Sequence, residues 1–244
     1  MIDKLQACAQ DITGWCRNNQ MEANPSKFQV LISEEKEATT IQIDNCSINS
    51  EPHVKLLGVY LDNQLNFHQH ITELTKKAGR QLNCLKRVAY PLSEDIRLLL
   101  YKSFVLSNFN YCPIVWHHCG IGNCNKLEKI QHRALKFIFN DYNSSYETLL
   151  ERAKIPTLEV NRLRNMAIEV YKIYKKLSPA FINNLLQTRQ LSYNLRSSNT
   201  FSMCHRRTTK YGLHSFQHFE VVIWNDQPSN IRSATDLIRS PRIS

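Results

Sequence analysis

Residues 54–85 read VKLLGVYLDNQLNFHQHITELTKKAGRQLNCL, and a change of period inside them decides the fold. Val54 to Leu61 is a short apolar, β-branched run broken by Gly58, the pattern of a buried strand whose Gly lets another backbone come close. Asp62, Asn63 and Asn66 then mark a turn, because short polar side chains hydrogen-bond their own backbone. Asn66 suits a helix N-cap, with Gln69 as its reciprocal partner three residues on. Beyond it Ile71, Leu74, Ala78, Leu82 and Leu85 recur at helical spacing. Lys76, Lys77, Arg80, Lys86 and Arg87 fall on or beside the opposite face. A small sheet ends here and a basic helical region begins.

Upstream, Ile2, Leu5, Ala9, Ile12, Trp15 and Cys16 mark one face of an opening helix that stops near Asn18–Asn19, ahead of Pro25. Phe28–Ile32 reads as a strand, Glu34–Glu37 as a charged turn and Ile41–Ile43 as a second strand. With 54–61 that makes three strands, few for an independent sheet. Residues 1–65 therefore read as part of a domain.

Downstream the chain reads as helical. Ser93 caps a helix with Ile96, Leu99 or Leu100, Phe104 and Leu106 inward. An aromatic stretch, Asn110–His118, leads to a loop at Gly120 and Gly122. Leu127, Ile130, Ala134, Phe137 and Ile138 stripe the next helix, with Lys126, Lys129, Arg133 and Lys136 elsewhere around it. Ser144 and Glu147 form a capping box for a short helix ending near Ala153. Thr157 caps another, whose inner face is Leu163, Ala167, Val170 and Tyr174. Pro179 opens a last short helix running through Leu186. From Arg189 to Phe219 there is no Asp or Glu, but Arg189, Arg196, Arg206, Arg207 and Lys210 are all present. Such a segment lies along an anionic surface or lacks order alone. Val221–Trp224 is an apolar anchor that docks back on the helices. The predicted class is α+β, divided as 1–65, a helical 66–188 and a basic tail block, 189–244.

Over 244 residues the formal charge is +10 and the pI about 9.2, which favours a polyanionic partner and makes nucleic acid the first candidate. No apolar run approaches the ~20 residues of a membrane span, so no membrane role is expected. Eight Cys are too sparse for a disulfide scaffold. Read as reduced thiols, they imply a cytoplasmic or nuclear protein. Cys112, His117, His118, Cys119 and Cys124 invite a zinc reading, but their spacing matches no common ligand pairing, and no metal site is assigned.

Four stretches, in order, resemble the reverse transcriptases of non-LTR (LINE-type) retrotransposons. LGVYLDNQLNFHQHI resembles the segment closing the palm and opening the thumb, and WCRNNQMEANPSKFQVLIS the stretch just after the catalytic turn. NYCPIVWHHCGIGNCNKLEKIQHRALKFIFNDYNSSYETLLERAKIPTLEVNRLR is similar to the region beyond the palm, and RTTKYGLHSFQHFEVVIWNDQPSNIR to the C-terminal block. The resemblance implies RNA-directed DNA synthesis with Mg²⁺ in the parent enzyme. That chemistry needs clustered carboxylates, in this family partly from a Tyr-x-Asp-Asp turn, yet the sequence has no adjacent Asp pair. The chain is therefore expected to hold no catalytic residue and no cofactor of its own, to take no small-molecule substrate and not to polymerise alone. Its palm and fingers would be supplied by an upstream exon or be missing.

By the resemblance, Lys27 matches a lysine that assists nucleotide addition, and Leu57, Gly58 and Val59 match a primer-grip-like strand. Each also has a plain reading, as a surface lysine and as a structural strand. The implied partner is an RNA/DNA template–primer duplex, tracked by Lys76, Lys77, Arg80, Lys86 and Arg87. Arg206 and Arg207 would assist, with Tyr211, Phe216 and Phe219 stacking on bases or docking the tail. Two alternatives remain: a basic nucleic-acid-binding module without catalysis, and an inert product of a decayed element.

Overall fold

The computed structural model describes residues 2–33, 39–43, 46–189, 200–203, 205–208, 212–213 and 215–232. The expected charged turn Glu34–Glu37 and the basic residues Arg196 and Lys210 lie outside them, as do Tyr211 and Cys204. The fold is α+β, in two compact units. One comprises Met1–Tyr90 with Cys119–Ile130, the other Pro91–His118 with Gln131–Ser244.

In the first unit α1 (Ile2–Asn18) packs on β1 (Thr40–Ile43), where Gln6 Oε1 accepts the Gln42 backbone N–H at 2.9 Å. That contact turns the helix away from its expected face. Thr13 is buried and Ala9 packs on the core, while Leu5, Ile12 and Trp15 are exposed, Trp15 by 60%. β1 pairs antiparallel with β2 (Cys46–Asn49), a strand the sequence reading lacked. Val30, Ile41 and Ile43 form a small core joined by Phe28, Ile32 and Ile48. Phe28–Ile32 thus supplies core side chains but is no strand, with only Val30 bridging to Ser50.

The run from Val54 to Leu61 is a hairpin instead of one strand. β3 (His53–Leu56) and β4 (Val59–Asp62) pair antiparallel with Lys55 opposite Tyr60 and Leu56 opposite Val59. Leu57 and Gly58 make the two-residue turn at φ 46° and 87°. Positive φ at both central positions is the type I′ pattern, whose twist matches that of the strands. The expected sheet is accordingly two separate two-stranded ladders.

α2 (His68–Val88) follows, and its start also differs from expectation. Asn66 is not the cap: Phe67 occupies that position at φ 56°, with no side-chain cap bond. The organiser is Asp62, whose Oδ1 accepts from the backbone N–H groups of Gln64 and Asn66 and whose Oδ2 accepts from Phe67, at 3.1, 2.9 and 2.6 Å. An ionised carboxylate is acceptor-only and takes several donors, more than an Asn amide oxygen offers. The predicted stripe of α2 is buried throughout.

In the second unit α3 (Glu94–Leu100) continues through a π-helical segment, Tyr101–Leu106, into α4 (Ser107–Phe109). The wider π turn shifts the buried face to Tyr101, Val105 and Phe109, leaving Ile96, Leu99 and Phe104 exposed. α5 (Ile121–Phe139) gives residues to both units and buries all five stripe residues predicted for it.

α6 (Tyr146–Ala153) ends where expected, but its cap is Ser145, which accepts from the Thr148 N–H. Ser144 instead donates to Asp141 Oδ2 at 2.6 Å. α7 (Leu158–Tyr174) is capped by Thr157 as predicted. It buries Met166, Ala167, Val170, Tyr171 and Ile173, and Leu163 is only half-buried. α8 (Ala180–Asn183) starts after Pro179 but stops short of Leu186. Beyond it come α9 (Phe216–Asp226) and α10 (Ser229–Arg232).

The predicted anchor docks as expected. Val221 and Trp224 of α9 pack with Val170, Tyr171, Ile173, Leu186 and Phe201. Asn225 clamps the Phe201 backbone, accepting its N–H at 3.0 Å and donating to its carbonyl at 3.1 Å.

Candidate nucleic-acid interface

The hairpin and α2 lie together in the first unit, β4 packing on the helix. α2 holds five Lys and Arg residues against a single acid, Glu73. At 100° per residue, Lys76, Arg80 and Arg87 fall opposite the buried stripe Ile71–Leu74–Ala78–Leu82–Leu85 and Lys77 falls on one flank, and all four are exposed. Lys86 sits on the other flank, half-buried. Lys76 donates to Glu73 Oε1 at 2.8 Å. That bond, and the positive charges of Lys76, Arg80 and Lys55, hold the Glu73 carboxyl below the usual range.

Lys55 thereby joins the group from β3, a residue the sequence reading missed. Its signal was register: a turn at 57–58 sets Lys55 across from Tyr60, and its ammonium lies 5.3 Å from that ring. The His53 ring also approaches Tyr60, tilted, with centroids 6.0 Å apart. The hairpin thus presents His53, Lys55 and Tyr60, with Leu57 at its tip, 81% exposed. Gly58 supplies the turn's second positive φ.

The joint between hairpin and helix titrates. His70 is buried, and its Nδ1 accepts the Tyr60 backbone N–H over a long 3.4 Å. Desolvation lowers its pKa from 6.5, so the native state resists protonation. Below pH 6.5 the unfolded chain binds the proton first, and stability falls as the pH falls. A protonated ring cannot accept from Tyr60. The amide protection factor of Tyr60 is therefore expected to drop only as the pH falls below about 6.5, in step with His70 titration followed by NMR; constant protection across that titration would contradict this account.

The other sequence-derived residues lie elsewhere. Lys27 is exposed at the end of a 3₁₀ turn, Pro25–Lys27, and no described hydrogen bond, ion pair or ring contact links it to the α2 face. Arg206 and Arg207 belong to the second unit. Arg206 is half-buried and donates to Gln217 Oε1 at 2.7 Å, whereas Arg207 is exposed. A Cβ on Gly212 would stand 2.9 Å from Arg206 Cβ, so only glycine fits that turn. Phe216 packs on the Trp224 cluster, and Phe219 stacks on His117 and His118 at 5.3 and 4.6 Å. Both aromatics dock the tail.

The Cys/His group divides: Cys119 and Cys124 belong to the first unit, and Cys112, His117 and His118 to the second. Cys112 is exposed at φ 46°, and the two histidines pack edge to face at 4.8 Å. Among the described residues no three His, Cys, Asp or Glu gather as a metal site. None of the described helices is long and apolar enough to cross a membrane.

No family model and no solved structure matches the chain. Over 141 residues, 56% of the chain, it is 23% identical to the probable RNA-directed DNA polymerase from transposon X-element of Drosophila melanogaster. The matched part covers 16% of that protein, about a sixth of its length. The chain is related, distantly and in part, to a transposon reverse transcriptase.

Proposed function

We propose that these 244 residues are the thumb-side portion of a non-LTR retrotransposon reverse transcriptase and grip an RNA/DNA template–primer without polymerising alone. The observation that carries this reading is the charge of Lys55, Lys76 and Arg80 gathered about Glu73, on a helix that also exposes Lys77 and Arg87 and packs on a hairpin with an exposed apolar tip. The similarity to a transposon polymerase and the net charge of +10 support it. The absence of an adjacent Asp pair supports the lack of activity.

The geometry suggests a division of labour. Exposed Lys and Arg neutralise phosphates without reading sequence. Leu57 is an uncommon choice for its position: Asn and Gly are the residues preferred at positive φ in a type I′ turn, and a branched apolar side chain there is strained. An apolar tip beside phosphate-binding cations suits a base or sugar at a recessed primer end.

Leu57→Asn separates this from a merely structural hairpin, since the turn should tolerate it or gain. Wild type is expected to favour an RNA/DNA hybrid with a recessed 3′ end over the same hybrid closed by hairpins at both ends. The variant should lose about tenfold on the recessed substrate, the worth of burying one Leu side chain, and nothing on the closed one. Equal affinity of the two proteins for the recessed end would remove the primer role while leaving phosphate binding standing.

A further inference from the structure

We infer that Cys119 and Cys124 are a dithiol modification site that closes reversibly to a disulfide by exchange with a small-molecule disulfide of the glutathione class. Their sulfurs stand 3.7 Å apart, both within the first unit. The approach is built by the backbone. Gly120, at φ 84°, reverses the chain between Cys119 and α5. Its carbonyl accepts the N–H groups of both Asn123 and Cys124 at 3.1 Å. The buried Asn123 side chain then donates to the Cys119 carbonyl at 2.8 Å. Both cysteines are thus pinned from each side of one turn, and the loop a disulfide would close is short.

The two thiols differ as an exchange pair requires. Cys124 is half-buried, in the first turn of a 19-residue helix, where the N-terminal backbone dipoles favour a thiolate. Cys119 is 4% exposed, out of reach of a bulky reagent but next to its partner. Cys124 thiolate attacks one sulfur of oxidised glutathione, forming a mixed disulfide and releasing glutathione thiolate. Cys119, losing its proton, attacks the Cys124 sulfur and expels the second glutathione. The protein loses two hydrogens, one oxidised glutathione becomes two reduced ones, and excess reduced glutathione reverses both steps. The exposed thiols Cys8, Cys84 and Cys112 have no such thiol neighbour among the described residues and should stop at the adduct.

The full chain would be equilibrated across ratios of oxidised to reduced glutathione, quenched with acid, alkylated and digested with trypsin. Residues 103–126 emerge as one peptide holding Cys112, Cys119 and Cys124. The expected product is a Cys119–Cys124 disulfide that disappears as the buffer is made reducing. In Cys119→Ser the adduct on Cys124 should persist, about tenfold more abundant than in wild type, because nothing resolves it. In Cys124→Ser the buried Cys119 should stay unmodified. A persistent Cys124 adduct in wild type, a disulfide through Cys112, or an unchanged adduct level in Cys119→Ser would each overturn the assignment.

Discussion

Glu220→Gln is expected to stabilise the protein by about 3–5 kcal/mol at about pH 9 and to change little at about pH 5. Glu220 is wholly buried on the inner side of α9, beside Val221 and Trp224, and no described residue donates to either carboxylate oxygen. Burial, reinforced by the charge of Glu169 on α7, pushes its carboxyl up from 4.5 to about 8. Glu169 is itself held by Lys172 at 2.6 Å, which leaves Glu220 without that cation.

In the unfolded chain the group ionises near 4.5, whereas in the folded chain it keeps its proton to about 8. Between those values the folded state binds the extra proton, so stability is whole below the lower value and declines as the pH rises through the upper one. Gln has nothing to ionise and escapes the decline. Denaturant midpoints of the two proteins from about pH 5 to 9 test this. Parallel curves would mean that the carboxyl finds a partner or water in solution. Glu169→Gln should shift the wild-type decline to higher stability at neutral pH, by less than Glu220→Gln does.

Glu220 illustrates what the sequence leaves hidden. The run Val221–Trp224 is legible as an anchor because apolar clusters must be covered, and α7 with Phe201 covers it. A Glu ahead of that run gives no signal of burial, since charged residues flank most exposed helices. The five-residue stripe of α5 and the Thr157 cap were legible for the converse reason: periodicity and capping are local, and nothing nearby competes.

The misses were competitions between local rules. At 57–58 an apolar Leu masks a turn that an Asn would have announced, so one strand was expected and a hairpin formed. At Asn66 a capping residue is itself held, through its backbone N–H, by a carboxylate four positions earlier, and the cap position passes to Phe67. Directly after α3 the π segment Tyr101–Leu106 breaks the 3.6-residue period on which the inner face was expected to continue. The basic face fared unevenly. Helical spacing alone puts Lys76, Lys77, Arg80 and Arg87 away from the core. Lys55 joins them only once the hairpin register is known.

Neutralising that face should have the largest effect on binding. The combined variant Lys76→Gln, Lys77→Gln, Arg80→Gln and Arg87→Gln is expected to weaken RNA/DNA hybrid binding by about 10²–10³-fold near 0.1 M salt. It should also flatten the dependence of log affinity on log salt by about three to four, roughly one for each phosphate no longer neutralised. Charge alone does not make this specific, because the whole chain is at +10 and any four cations removed weaken attraction to a polyanion. α5 provides the control: Lys126, Lys129 and Arg133 are exposed and Lys136 is half-buried, an equal charge on another helix. Changing those four to Gln should cost less than about tenfold and leave the slope nearly intact, since long-range attraction is screened within a Debye length of ~10 Å.

Equal losses from the two variants would reduce α2 to one part of a diffuse basic surface, the non-catalytic binding module in its weakest form. No measurable binding by wild type at low salt would favour the inert product. A loss confined to the α2 variant, together with a recessed-end preference abolished by Leu57→Asn, is what a primer-gripping thumb requires. Neither alternative yields both results, because a diffuse surface has no preferred face and a purely electrostatic one has no use for an apolar hairpin tip.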